Sequence, residues 1–193
     1  IYVTSTGFDS VLRFDYRKGV YDKGYYFDTS SGEVECKSFN PNSQKGPQES
    51  NNLHINNVRA KNDVLFISGR FLGNLISVKR GKIDFLNRVP PGTHNVTPIG
   101  KGRILYNDSE DDCLVYSSNY EHRCFPVPRY SDKHILNMTL GDERIARQAF
   151  GRGLCLYKNG IVIAGSSPST ITAYDIKNGT VLTSMNLSMD VRN

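Results

Sequence analysis

Tryptophan is absent and methionine occurs only three times, so the large apolar content rests on 11 Tyr, 9 Phe and the aliphatic residues. No apolar run approaches the roughly 18 residues that a membrane-spanning helix requires. The first residues, Ile-Tyr-Val-Thr-Ser-Thr, lack the basic start and apolar stretch of a secretory signal; without an initial Met, they read as a chain that is processed, truncated or partly represented. Basic residues form no tail and no arginine-rich helix face. The net charge of +5 is scattered, which argues for solubility and against a nucleic-acid footprint. Cys36, Cys113, Cys124 and Cys155 show no C-x-x-C spacing, which counts against a zinc or thioredoxin-type motif. No Gly-x-Ser-x-Gly elbow supports a Ser-His-Asp hydrolase. Gly151-Arg152-Gly153 precedes a strand rather than a helix, so it is not a phosphate loop.

What is present is a strand-and-turn composition. The 193 residues include 17 Gly, and aromatics gather in short runs such as Gly24-Tyr25-Tyr26-Phe27. A hydrophobic share of 38% with 22% charged residues suits a single globular domain with a substantial core. Four apolar runs, each followed by a small or polar break, repeat along the chain: Ile1-Tyr2-Val3, Val64-Leu65-Phe66-Ile67, Ile104-Leu105-Tyr106 and Ile161-Val162-Ile163. Matching Val3, Ile67, Tyr106 and Ile163 gives spacings of 64, 39 and 57 residues, against the roughly 40 to 50 of a β-propeller blade.

Each run leads through a loop to an alternating strand: Val11–Asp15, Leu75–Val78, Cys113–Tyr116 and Ile171–Asp175. A weaker outer strand follows, reached in the last unit through Lys177-Asn178-Gly179, where Asn-Gly supplies the positive φ angles of a tight turn. Before every run except the first lies another strand. The pattern predicts an all-β propeller of four-stranded antiparallel blades at about 1–36, 53–90, 93–128 and 150–189, with polar insertions at 37–52 and 129–149. The first blade is read as lacking its inner strand, and 129–149 as a short helix or extended loop. An open arc of this size exposes blade faces, so the reading is part of a larger propeller whose partners are its remaining blades or a docking protein.

Cys113 and Cys124 face each other across a hairpin turning at Ser118-Asn119. That spacing permits a disulfide, but the preferred expectation is two small buried residues. Five Asn-x-Ser/Thr sequons begin at Asn95, Asn107, Asn137, Asn178 and Asn186. Two of them fall in the channel motifs described next and are read as coincidental, with a cytoplasmic location favoured over secretion.

In a propeller the inner strand lines a central channel, and the loops entering it share a face with the loops that follow the second strand. His54 lies 13 residues before Ile67, His94 lies 12 before Tyr106, and Arg152 lies 11 before Ile163. Together with Asn56, Asn95, Arg70, Asn107, Ser166 and Ser167, these form a candidate site at the channel mouth. Imidazole, amide and guanidinium donors suit an anionic or sugar-like small molecule, or a protein partner. Ordinary satisfaction of backbone groups and channel water is the competing explanation. No cofactor is expected, and the sharper variant is a divalent metal held by His54 and His94. No membrane contact is expected.

The segments Asn51–Asn57, Pro91–Asn95, Phe150–Cys155 and Gly165–Thr172 resemble an uncharacterised bacterial family of conserved hypothetical proteins, presumed propellers. The resemblance spans nearly the whole chain. It implies more blades than are present here, and it brings no reaction with it. Two functional classes follow: a binding module, or a propeller lyase or hydrolase with His54 or His94 as general base and Arg152 stabilising negative charge.

Overall fold

The structure is a computed structural model that describes residues 1–137 and 147–191. Among the described residues are sixteen strands and one 3-10 turn, Asp132–His134. β1 (Tyr2–Ser5), β2 (Ser10–Asp15), β3 (Val20–Asp28) and β4 (Glu35–Phe39) form one antiparallel sheet. β5 (Ile55–Lys61), β6 (Val64–Gly69), β7 (Asn74–Lys79) and β8 (Lys82–Arg88) form the second. β9 (Thr93–Gly100), β10 (Arg103–Asp108), β11 (Cys113–Ser117) and β12 (His122–Pro126) form the third, and β13 (Gly151–Leu156), β14 (Ile161–Ser166), β15 (Thr170–Asp175) and β16 (Thr180–Asn186) the fourth. In every sheet the spatial order follows the chain order.

Two compact units divide the chain at Val96 and Thr97. The first buries Val11, Phe27, Ile55, Ile67, Ile76 and Val78 between its two sheets. Leu105, Leu114, Phe125, Val162, Ala164 and Tyr174 form the corresponding core of the second. β10 is apolar on consecutive positions and buried on both faces, with Ile104 through Asp108 all buried. Outer strands alternate or turn polar toward solvent.

Hairpin chemistry repeats as well. Asp15 Oδ1 accepts from the backbone N–H groups of Arg17 and Lys18, and Asp175 Oδ1 accepts from those of Lys177 and Asn178. Gly19 and Gly179, both at positive φ, close these two turns. Donation by the Asn178 amide holds the Asp175 carboxyl below the usual carboxylate range.

This shared turn shows what β1 is. The turn joins the third and fourth strands of the last sheet but the second and third of the first, so β1 stands at a second-strand position. Thr6 Oγ1 donates to Ile55 O at 2.9 Å, as Ser109 Oγ donates to Gly151 O at 3.4 Å, each from the loop that leaves such a strand. The first sheet reaches four strands because β4 is added at its outer edge. Its Glu35–Phe39 run extends into the segment that reads from sequence as a loop. No apolar run announces β4. It is held by pairing with β3, by the Lys37–Asp28 contact of 2.6 Å, and by the Phe39 ring lying over Gly24, where a Cβ would come within 2.3 Å of it.

Cys113 and Cys124 are joined in a disulfide with Cα atoms 5.9 Å apart, which corrects the preferred reading of two buried thiols. Cys113 pairs with Pro126 and Cys124 with Val115, so the two cysteines are diagonal neighbours on one face of the β11–β12 ladder. In the 129–149 segment, Ile135 and Ala149 are buried and Leu136 is exposed. Leu140 and Ile145, which belong to the expected short helix or loop, lie outside the described residues. One face of the last sheet buries Val162, Thr172 and Tyr174, while the other leaves Ile163, Ile171 and Met185 exposed beside Cys155.

The segment that enters β5 is clamped onto the turn after β6. Arg70 N–H donates to His54 O at 3.0 Å, and Phe71 N–H to Leu53 O at 3.1 Å. Gly69 makes this crossing possible, because a Cβ there would sit 2.4 Å from the Leu53 carbonyl oxygen. Both neighbours are backbone, so the clash has no side chain to absorb it. Gly69→Ala is expected to destabilise the fold by about 2 kcal/mol in a denaturant melt, whereas Gly7→Ala, which meets nothing within 4 Å, leaves the midpoint unchanged.

Thiol chemistry gives a second check. Burial pushes the Cys36 thiol up to about 11, while Cys155 is exposed. At pH 8 a maleimide reagent should add to the native chain faster at the exposed Cys155 than at the half-buried Cys36, with Cys113 and Cys124 labelled only after reduction. Equal labelling rates at Cys36 and Cys155 would contradict this arrangement.

Candidate functional site

Just beyond the crossing, the ladder slips. Ile55 pairs with Gly69 and Asn57 with Ser68, leaving Asn56 between them without a partner. In the second unit Gly151 pairs with Ser166 and Gly153 with Gly165, leaving Arg152 in the same position. A bulge of this kind takes one side chain out of the strand's alternation and re-aims it. By register Asn56 corresponds to Arg152, and His54 corresponds to Phe150. Counting back from the apolar run places His54 level with Arg152; the paired register shows an offset of two residues.

In the first unit, Asn56 Nδ2 donates to Thr93 O at 2.9 Å, and its buried Oδ1 accepts no hydrogen bond among the described residues. His54, held at a positive φ of 51°, donates from Nδ1 to Asn51 Oδ1 at 3.0 Å and meets the Phe71 ring edge-on at 5.8 Å. The Arg70 guanidinium lies over that same ring at 5.3 Å. His94 Nδ1 lies 2.9 Å from Gly92 O. A carbonyl oxygen can only accept, so Nδ1 carries the proton and Nε2 the lone pair. Asn95 is half-buried, with a φ of 58°.

In the second unit the same crossing is built from Ser167, whose N–H donates to Phe150 O at 3.1 Å and whose carbonyl accepts from Ala149 N–H at 2.8 Å. Ser166 ends β14 opposite Gly151. Asn107 is buried near the end of β10 and donates from Nδ2 to Gly153 O at 3.2 Å, tying that strand to β13. Gly151 leaves room for it, since a Cβ would come within 3.0 Å of the Asn107 side chain. Asn107 therefore has a structural duty.

Arg152 is exposed at the bulge, and its guanidinium stacks over the Phe150 ring at 4.6 Å. Among the described residues no carboxylate pairs with it. Arg147 approaches the same ring at 5.6 Å but is committed to Asp112 and the Ser109 carbonyl; Arg129 also holds Asp112, at 2.6 Å. Phe150, Arg147 and Asp112 are the neighbours that sequence reasoning misses. The signal for Phe150 is its place directly before the Gly-Arg-Gly triplet. Burial pushes the Asp108 carboxyl above its ordinary range, against the backbone N–H donors of Glu110 and Asp111.

The sequence-predicted residues thus fall in two groups, with His54, Asn56, Arg70, His94 and Asn95 in the first unit and Asn107, Arg152, Ser166 and Ser167 in the second. Among the described residues no group of three or more His, Cys, Asp and Glu side chains is assembled. Among the described residues no helix is long and apolar enough to cross a membrane.

No protein-family model matches the sequence, and no curated protein matches it. Solved structures do. A catalytically inactive virginiamycin B lyase from Staphylococcus aureus with quinupristin superposes with a TM-score of 0.50 at 9% identity, over 97% of this chain and 59% of that one. The selenomethionine-substituted form of that lyase gives 0.51 at 8% identity, over 96% of this chain and 65% of that one. The WD40 β-propeller domain of Doa1 gives 0.53 at 12% identity, over 92% of this chain and 55% of that one. The chain spans less than two thirds of each of these structures. At such identities the likeness is one of fold: the chain is an all-β protein with a β-propeller fold, built of four-stranded antiparallel blades.

Proposed function

We propose that this chain is a binding module that takes an anionic or sugar-acid small molecule at the bulge carrying Arg152. The observation that supports the reading is the state of that guanidinium, which is exposed and stacked on Phe150, with no carboxylate partner among the described residues. Stacking fixes the plane of the fork and leaves its donors turned to an incoming acceptor, which lowers the ordering cost of binding. Ser166 and Ser167 bring hydroxyls on the segment that pairs with the bulge. Arg129 and Arg147 are both engaged by Asp112, so Arg152 is the arginine of the region without a carboxylate contact among the described residues.

The test is calorimetric titration with sulfate, phosphate and galacturonate. Arg152→Lys keeps the charge but loses the planar fork, so binding should weaken about tenfold while the melting temperature stays unchanged, the side chain being exposed. Unchanged affinity for all three anions would refute the proposal. A lowered melting temperature with intact binding would assign Arg152 to the fold instead.

A second reading, lyase or hydrolase chemistry, draws on His94. Its Nδ1–H is fixed by Gly92 O, which makes Nε2 the basic nitrogen of a general base held in one tautomer. Two of the similar structures are a lyase, one of them with quinupristin. Incubation with quinupristin, followed by mass spectrometry, tests the reading. Turnover of quinupristin is the expected result, and His94→Gln should abolish it. Intact quinupristin after prolonged incubation, or full activity in His94→Gln, would remove the catalytic reading.

A further inference from the structure

On the second unit, a cavity of about 520 Å³ opens between the β9–β10 and β11–β12 turns on one side and the β13–β14 and β15–β16 turns on the other. It is unrelated to the Arg152 bulge, which sits at the start of β13; the cavity reaches the opposite end of that strand. Its floor is apolar. Ile99 and Tyr116 pack against the core between the third and fourth sheets, and Ile176 belongs to that core. At the rim, Leu156 and Tyr157 are left exposed at 43% and 56%, an apolar cost that a purely structural turn has no reason to carry.

The charged groups around this floor are not equivalent. Arg123 is fully used, bonded to Glu121 and donating to the carbonyls of Ile176 at 3.0 Å and Lys177 at 2.9 Å, so this pair is neutral and acts as a strap. Arg103 spends only Nε, on Gly100 O at 3.0 Å, which fixes its stem and leaves the terminal nitrogens available. Lys177 lays its stem along Gly160, where a Cβ would come within 3.1 Å of it, and its ammonium acts on the Asp175 carboxyl from beyond ion-pair distance. Gly160, at a φ of 85°, is what lets that stem lie flat. Two positioned cations therefore overlook a hydrophobic floor.

We infer that this cavity binds an amphipathic anion: a small molecule with an aromatic or acyl body for the Ile99–Tyr116–Ile176 floor and a carboxylate, sulfonate or phosphate head for Arg103 and Lys177. The volume suits a drug-sized ligand. Held stems reduce the rotamer entropy lost on binding, and a charge-assisted bond to each cation supplies orientation.

The probe is 8-anilinonaphthalene-1-sulfonate, compared with N-phenyl-1-naphthylamine, its neutral counterpart, by fluorescence titration of the native chain. One saturable site is expected, with the sulfonate binding about tenfold tighter than the neutral dye and losing that advantage as salt is raised. In Lys177→Met and Arg103→Gln the sulfonate should weaken several-fold each, with the neutral dye unaffected, and Lys82→Met, at an exposed lysine of the first unit, should bind both dyes like the parent. Equal affinity for the two dyes on the unmodified protein would overturn the inference, because that is the behaviour of adsorption to an exposed apolar face such as Ile163–Ile171–Met185. So would unchanged sulfonate binding in both cavity variants, loss of binding in Lys82→Met, or no saturable site.

Discussion

The close backbone crossing at the entry to a blade's first strand is the constraint on which the rest depends. A segment arriving from the preceding blade must pass against the turn after the second strand, near enough for N–H to C=O contact; Gly69 leaves room for it in the first unit, while Ser166, opposite Gly151, holds the corresponding place in the second. Gly69 meets the Leu53 carbonyl in this way, and Gly153 and Gly165 face each other across the equivalent ladder, where a Cβ on Gly153 would lie 3.1 Å from the Gly165 nitrogen. The crossing also explains the bulges. A strand anchored by its first carbonyls and then required to join a regular ladder takes up the mismatch as one unpaired residue, and that residue becomes Asn56 in one unit and Arg152 in the other. Structure and candidate site are thus two outcomes of one backbone requirement.

Much of this fold was legible in the sequence because the second strands carry short apolar runs that end in a small or polar break. Val64–Ile67, Ile104–Tyr106 and Ile161–Ile163 read as second strands without help from tertiary context. β4 was not legible, since Glu35-Cys36-Lys37-Ser38-Phe39 has no apolar run and owes its pairing to the length of β3 and to Gly24. The disulfide was half legible. Spacing brought Cys113 and Cys124 to one hairpin, but the diagonal placement that lets them bond depends on register. A further signal was present and readable: Asp15-Tyr16-Arg17-Lys18-Gly19 and Asp175-Ile176-Lys177-Asn178-Gly179 share their spacing because both build the same carboxylate-capped turn. The candidate site was legible in its residue types and not in its alignment, because a bulge shifts equivalence by steps that counting cannot see.

The cations of this chain divide by what surrounds them. Arg13 forms a bidentate pair with Asp22 at 2.7 Å, Lys37 bridges Asp28 and Glu35, and Arg123 straps two hairpins together. Such partly exposed pairs orient side chains more than they stabilise the fold. Arg152, Arg103 and Lys177 differ: each is held by an aromatic ring, a carbonyl or a glycine, and none forms an ion pair among the described residues. A cation positioned without a counterion is ready for an anion, and the net charge of +5 draws such ligands toward the surface before any specific contact is made.

The most direct measurement is of the Arg152 guanidinium itself. Nε–Hε resonances of the arginine side chains, followed by NMR during titration with galacturonate, report which fork closes on the anion. The account predicts a saturable shift of the Arg152 resonance, with the committed Arg13, Arg123 and Arg147 signals stationary. A titration in which Arg152 does not move, while a committed arginine does, would contradict it.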